Sequence, residues 1–479
     1  MTLKNTLAQV SQTANPFYEL GFYLLPVSFS SAEDAAQKLE VLRKRLAGSG
    51  DLEGFIRAQL TILDAAQPYA LSLLGASREE LLAELERAQE SLPGAFESGR
   101  DWQTPTGSYF SPMPLGLQAR IAFVYPGAFG TYVGMGSQLF RLFPQLSESL
   151  AVLTDDPEHA MNAEVIFPQT DDPQVITALQ DKLQHQPTLM ISSGIFFSYL
   201  FTVILQDIFN IQPSAAFGYS LGENSMMFAT GIWTQADAMR TSLEASPIFH
   251  ERVSGRQNAI REYWGVPDSA AYEEGKSIWA NYILMAPEEK VRAAIQPGEH
   301  VYITHINTAR QVVIGGDEAA CLRVAESVKC MHLKAPYEHA IHCPPVESEF
   351  EAFERLHYWP VEHKPEIPVY SAADYTPLEM ESHSIARSFA HMLTHAVDFP
   401  RLVEQVYSDG ARVFIELGAG SNCSKWVDAI LKDRPHASMT INQNNVSDNV
   451  SILKLLARLI GQRVPLDLSV LSAVGQEAS

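Results

Sequence analysis

The stretch Phe217-Gly218-Tyr219-Ser220-Leu221-Gly222-Glu223 constrains the fold of this chain more than any other. Apolar, strand-like residues from Ser214 to Phe217 precede it, and a helix is expected from Leu221 to Thr230, stopped by Gly231. A G-x-S-x-G segment between a strand and a helix has the form of a nucleophile elbow, a sharp turn that holds its serine strained and exposed. Flanking glycines let the backbone turn tightly and let neighbouring segments come close. The helix that follows offers free N–H groups to any oxyanion formed beside the serine. The bare pattern also arises as a glycine-rich turn with a solvated serine, so the elbow reading rests on its strand–turn–helix setting.

A chain of 479 residues has room for about three domains, or for one large domain with appendages. Its apolar fraction of 46% is enough for a sizeable core. The formal net charge of -22 argues against nucleic acid and anionic membrane surfaces as partners. The four cysteines (Cys321, Cys330, Cys343, Cys423) form no C-x-x-C pair, so neither a disulfide framework nor a metal site is expected. No charged segment followed by an apolar one marks the N-terminus as a signal peptide, and a cytoplasmic location is expected. Leu189 to Leu205 is almost wholly apolar, yet shorter than the ~20 residues that span a bilayer. It reads as a buried core helix, with no membrane insertion.

Composition divides the chain. Residues 1–100 carry a strand-like run, Phe22 to Phe29, and two charged amphipathic helices, Ala32–Leu46 and Arg78–Ser91. They read as a small α/β adaptor. Residues 101–119 lie in a Gly-, Pro-, Ser- and Thr-rich stretch, Ser98 to Gln118, that reads as a linker. From Arg120 the pattern becomes a large α/β unit over 120–277 and 343–470, in which buried strands (Ile121–Tyr125, Ser214–Phe217, Pro368–Tyr370, Val413–Leu417) alternate with helices. That pattern implies a parallel sheet covered on both faces. Residues 278–342 read as an inserted ferredoxin-like unit. Its expected order is strand Trp279–Met285, helix Pro287–Ile295, strands Val301–Ile306 and Val312–Ile314, helix Glu318–Val328 and strand Met331–Leu333. A helix is expected over 449–462, and residues 471–479 form a polar tail.

A serine nucleophile needs a base, and 14 histidines are on offer. His342, in His339-Ala340-Ile341-His342-Cys343-Pro344-Pro345, lies where the inserted unit returns to the large sheet, a natural edge for a cleft. His339 competes with it.

Four separated motifs then carry a family resemblance. Phe123-Val124-Tyr125-Pro126-Gly127 through Tyr132-Val133-Gly134-Met135-Gly136 resembles the opening motif of the acyltransferase domains of fatty acid and polyketide synthases. Gly218–Glu223 resembles their nucleophile motif, Asn307-Thr308-Ala309-Arg310-Gln311-Val312-Val313-Ile314-Gly315-Gly316 their small-subdomain strand pair, and His339–Pro344 their base motif. The resemblance covers about residues 120–470, and residues 20–100 resemble the linker between ketosynthase and acyltransferase. Glu416-Leu417-Gly418-Ala419-Gly420-Ser421-Asn422-Cys423-Ser424 and the stretch around Ser246–Trp264 look most like the acyltransferases of bacterial polyunsaturated fatty acid synthases and heterocyst-glycolipid synthases. The chain begins within a linker-like region, which suggests a fragment or a standalone subunit.

The resemblance implies an α/β-hydrolase-like large subdomain, a ferredoxin-like insertion and an N-terminal α/β linker domain. It implies ping-pong transfer of an acyl group from acyl-CoA to an acyl carrier protein, with a ketosynthase or other synthase subunits as partners. No cofactor is implied beyond the CoA and phosphopantetheine arms of the substrates. Ser220 would be the nucleophile and His342 its base, with the N–H groups of Leu221 and Ala128 as oxyanion hole. Tyr219, Ala245, Met392 and Asn307 would line the substrate pocket. Met392 would orient His342 through its carbonyl, where the family often has Asn or Gln. Ala128 replaces the usual Gln and Tyr219 the usual His. Malonyl-selective relatives carry an Arg at about Ala245, a fork that pairs with the malonyl carboxylate. Alanine there implies acyl groups without a free carboxylate, unless Arg252, Arg256 or Arg261 substitutes. A thioester hydrolase on the same elbow, editing or releasing product, is the alternative. A docking module without catalysis is a third reading, disfavoured by the intact Ser220 and His342.

Overall fold

The computed structural model describes residues 15–48, 50–128, 130–266 and 277–473. The N-terminal part forms a four-stranded antiparallel sheet from β1 (Tyr23–Phe29), β2 (Tyr69–Gly75), β3 (Trp102–Gln103) and β4 (Tyr109–Phe110), in the order β1-β2-β4-β3. The chain next lays down β5 (Arg120–Tyr125) and β6 (Ala215–Gly218). It then leaves for β7 (Ala280–Leu284), β8 (Val301–Thr308), β9 (Gln311–Gly316) and β10 (His332–Lys334). It returns with β11 (Val369–Tyr370), β12 (Val397–Asp398), β13 (Ala411–Glu416) and β14 (Ala437–Thr440).

The central sheet has the order β11-β6-β5-β13-β14, and every pairing in it is parallel. The unbroken apolar runs dictate this, because Ile121–Tyr125 and Val413–Ile415 bury both faces of their strands. The long apolar helix runs Pro187–Val203 and continues through a wider turn to Ile208. By length and composition it could cross a membrane, but 78% of its most apolar window is buried within the chain. It packs on helix Gly222–Ala229, behind the elbow.

Register fixes where the chemistry falls. Tyr125 of β5 pairs with Gly218 of β6, and Val124 pairs with Glu416 of β13. The loops Pro126–Ala128, Tyr219–Leu221 and Leu417–Gly420 therefore leave the sheet side by side at its C-terminal edge, the edge where open parallel sheets bind ligands.

The inserted unit has the expected order, strand–helix–strand–strand–helix–strand, with helices Glu288–Ala294 and Glu318–Val328. Its sheet order is β10-β7-β9-β8-β12. Two details differ from expectation. The last strand is His332–Lys334, one residue later than expected, and it is an exposed edge. The fifth strand, β12, comes from the returning chain and pairs in parallel with β8, so this sheet crosses the expected boundary at 342.

The expected linker over 101–119 is corrected. Tyr109 and Phe110 are buried as β4, and Phe110 packs on Phe29 and Phe96 with ring centroids 5.6 and 5.0 Å apart. Two-residue strands are too short to show a period, and the surrounding Gly, Pro and Ser hid the aromatic pair. The helix expected to end at Ser91 runs over Arg78–Ser98 and ends on Gly99, in the left-handed conformation. Pro93 does not stop it, because Leu92 and Ala95 bury on either side.

Helix Asp448–Gly461 packs on β2, β1 and β4 as well as on β14. It joins the N-terminal sheet to the central one. A short helix, Ser469–Ser472, lies within the expected tail, and residues 474–479 of that tail lie outside the described ones.

Candidate active site

The elbow is built by steric necessity. A Cβ on Gly218 would lie 2.2 Å from the Glu223 nitrogen, and one on Gly222 would lie 1.9 Å from the Tyr125 carbonyl oxygen. Only glycine fits either place. The turn leaves Ser220 with φ 55°, a left-handed conformation that costs a side-chain-bearing residue about 1 kcal/mol or more.

His342 is also left-handed, at φ 61°. Its backbone N–H donates to the Leu393 carbonyl at 2.6 Å. Its Nδ1 lies 2.7 Å from the Met392 carbonyl oxygen and its Nε2 lies 2.8 Å from Ser220 Oγ. A carbonyl oxygen can only accept, so the proton sits on Nδ1 and the Nε2 lone pair faces the serine hydroxyl. Burial lowers the His342 pKa to about 4, and the bond to Met392 pulls the other way. The imidazole is therefore neutral at pH 7 and ready to take a proton. His339, the competing base, bonds Ser254 Oγ through Nδ1 at 2.7 Å instead.

Ser220, Leu221 and Ala128 line one cavity of about 340 Å³. Leu221 immediately precedes helix Gly222–Ala229, and Ala128 sits in the loop after β5 beside the elbow. Tyr219, Asn307 and Met392 also line the cavity. Tyr219 donates its hydroxyl to Asn307 Oδ1 at 2.7 Å, which ties the elbow to β8 of the inserted unit. Burial raises the Tyr219 pKa well above its ordinary value, so the hydroxyl keeps its proton.

Ala245 is corrected. It is exposed at the end of helix Ala236–Ala245 and does not line the cavity. Leu243, 3% exposed, reaches the cavity from that helix instead. Counting residues from Ser220 finds the helix but not its face, because the turn before it sets the rotation. No Arg, Lys, Asp or Glu is among the described lining residues. Arg252 is forked between Glu349 (Nε to Oε1, 2.9 Å) and Glu262 (Nη2 to Oε2, 2.8 Å), and Arg261 donates to the Arg256 carbonyl at 2.9 Å. None of these three arginines lines the cavity.

One residue beside the Ser–His pair escaped sequence reasoning. The His305 ring meets the His342 ring edge-on with centroids 4.6 Å apart. It lies 5.4 Å from the Tyr219 ring, and burial holds its pKa well below the ordinary value. It lines the cavity from β8 together with Asn307, but the register shifts between Ile303 and His305 and between Ile306 and Thr308 break the period of two that would have linked them in the sequence. The apolar wall of the cavity (Met190, Ile191, Phe249, Phe389) comes from separate helices, and nothing in the sequence links them. Among the described residues, no group of three or more His, Cys, Asp or Glu side chains could hold a metal ion.

The fold is that of an acyltransferase domain. The acyltransferase domain from module 8 of the salinomycin polyketide synthase superposes with a TM-score of 0.71 at 17% identity, covering 94% of this chain and 98% of that one. An acyl carrier protein S-malonyltransferase from Vibrio cholerae gives 0.52 at 21% identity, over 68% and 97%. In sequence, the chain is similar to a subunit of the polyunsaturated fatty acid synthase of Thraustochytrium sp., 27% identical over 450 residues. That match takes in 90% of this chain but only 21% of the relative's length. The malonyl CoA-acyl carrier protein transacylase of Bacillus subtilis is 22% identical over 65% of this chain and 90% of its own length. No protein-family model matches. The four motifs thus resemble the acyltransferase domains that sequence and structure comparisons both find.

Proposed function

We propose that the chain is an acyltransferase. It would move an acyl group from a CoA thioester to the phosphopantetheine thiol of an acyl carrier protein, within polyunsaturated fatty acid or polyketide-type synthesis. The observation that carries the reading is the Ser220 Oγ–His342 Nε2 contact of 2.8 Å, with the base's proton fixed on the far nitrogen by Met392.

Ser220 Oγ attacks the thioester carbonyl as its proton passes to His342 Nε2. The tetrahedral oxyanion accepts hydrogen bonds from the N–H groups of Leu221 and Ala128. Donors of this kind are typically worth about 3–4 kcal/mol each at the transition state. The intermediate collapses to an acyl-serine, and CoA leaves with the proton from His342. The carrier thiol then gives its proton to His342 and attacks the acyl-serine carbonyl, and the second tetrahedral intermediate collapses as Ser220 Oγ leaves with that proton from His342. No cofactor enters these steps.

The lining supports acyl groups without a free carboxylate, since a buried carboxylate there would find no Arg or Lys to pair with among the described lining residues. Residues 1–100 would bind a ketosynthase or another synthase subunit, in the cytoplasm.

The test is intact mass after incubation with acetyl-, malonyl- and longer acyl-CoAs, alongside Ser220→Ala. The expected result is an adduct on Ser220 from non-carboxylated acyl groups, passed on to a carrier protein and absent in the variant. A malonyl adduct forming faster than the others would refute the preference. Release of free acid with no carrier present would refute transfer in favour of hydrolysis.

A further inference from the structure

The cavity holds a polar atom that the transfer chemistry does not use. His357 is 2% exposed and lines the cavity. Its ring stacks on Phe389 at 4.6 Å with planes 11° apart. Its Nδ1 lies 2.8 Å from the Phe353 carbonyl oxygen, in the turn that leads into it. The carbonyl can only accept, so the proton is on Nδ1 and Nε2 carries a bare lone pair. Burial lowers the His357 pKa to about 4, which keeps the ring neutral. No described residue gives Nε2 a hydrogen bond.

The placement matters. Phe389 and Met392 are both on helix Ser382–Thr394, three residues apart, so Phe389 lies about 4.5 Å along the axis from Met392. The Met392 carbonyl holds the base, so His357 stands roughly one helical turn beyond it. Leu243, Phe249 and Phe389 line the same cavity, and the Trp233 ring, whose buried Nε1 has no hydrogen-bond partner among the described residues, lies 6.5 Å from the His357 ring. An acyl chain that enters this space displaces water from Nε2. A saturated chain would leave the lone pair unsatisfied, at a cost typical of a buried orphan acceptor. A keto or carboxylate oxygen, itself only an acceptor, would meet the lone pair repulsively. A hydroxyl donates to it.

We infer that His357 is a specificity-determining residue, and that this cavity selects acyl groups carrying a hydroxyl on the chain. The inference rests on the acyl-pocket reading above. It places the chain downstream of a reaction that reduces a keto group to a hydroxyl.

The experiment separates binding from chemistry. On the Ser220→Ala background, calorimetry compares matched CoA thioesters: butyryl with 3-hydroxybutyryl and 3-ketobutyryl, and hexanoyl with 3-hydroxyhexanoyl and 6-hydroxyhexanoyl. The expected result is that at least one hydroxylated thioester binds about 10-fold more tightly than its saturated match. His357→Phe should erase the difference, and His357→Gln, which keeps an acceptor, should retain part of it. Equal affinities within every set overturn the inference on the folded Ser220→Ala protein alone, whatever the fate of the His357 variants. A preference that survives His357→Phe overturns it too. If the binding preference appears but unmodified Ser220 never takes up an acyl group, the transferase reading fails and the His357 assignment stands.

Discussion

Gly222→Ala tests the elbow at its tightest point. The added Cβ would sit 1.9 Å from the Tyr125 carbonyl oxygen, where ordinary contact begins near 3.4 Å. Something must move by more than about 1 Å. The Tyr125 carbonyl cannot yield freely, because it accepts the Tyr219 N–H at 2.9 Å and ends a strand paired on both sides. The elbow must therefore lift away from β5 and carry Ser220 off His342. A displacement of about 1 Å at the reacting atoms costs roughly 10²-fold in rate, and the overpacking itself costs about 1–3 kcal/mol. The assay is the time course of Ser220 adduct formation by mass, with thermal unfolding followed by circular dichroism. Gly94→Ala is the control, because it lies in helix Arg78–Ser98 with open space around it. It should leave acylation unchanged and add roughly 0.5–1 kcal/mol of stability. Acylation by Gly222→Ala within a factor of about three of the parent would refute the argument.

Other outcomes follow from the same geometry. His342→Ala should slow adduct formation by about 10²–10⁴-fold, read by the same mass assay. The acylation rate should climb as pH rises through about 4, where His342 loses its proton, and stay flat to neutrality. A half-maximal rate near pH 6.5 would mean that burial does not depress this base. Arg252→Ala should leave acylation intact but destabilise the fold by about 1–3 kcal/mol in denaturant titration, since it leaves the buried Glu349 carboxylate with only the Ser348 hydroxyl. A chain starting at Arg120 should lose soluble expression and cooperative melting, because it uncovers the face of helix Asp448–Gly461 that packs on β2.

Legibility varied with how local each signal was. The elbow was readable because its glycines, serine and flanking elements all fall within a few consecutive residues. The strands at 120–125 and 411–416 were readable because both faces are buried, which leaves an unbroken apolar run. Strands β3 and β4 were not, since two residues show no period and the turn-forming residues around them read as a linker. Ala245 failed because sequence distance does not set helix rotation: Leu243 and Ala245, two residues apart, lie about 200° apart around one helix. His305 was not readable, because the register shifts on either side of it in β8 break the period of two that would have placed it beside Asn307.

The sequence alone determined which residue types could do chemistry. It placed Ser220 on a turn that only glycines permit, and it set His342 at the return from the inserted unit, because short-range sterics and element order are written locally. Tertiary structure decided what they meet. The choice of His342 over His339, the role of the Met392 carbonyl and the absence of Arg and Lys from the described lining each depend on segments dozens to hundreds of residues apart. Those segments come together only because the parallel sheet's register brings three loops to one edge and β12 ties the returning chain to β8 of the inserted unit. Packing of that range leaves no pattern in any single stretch of chain.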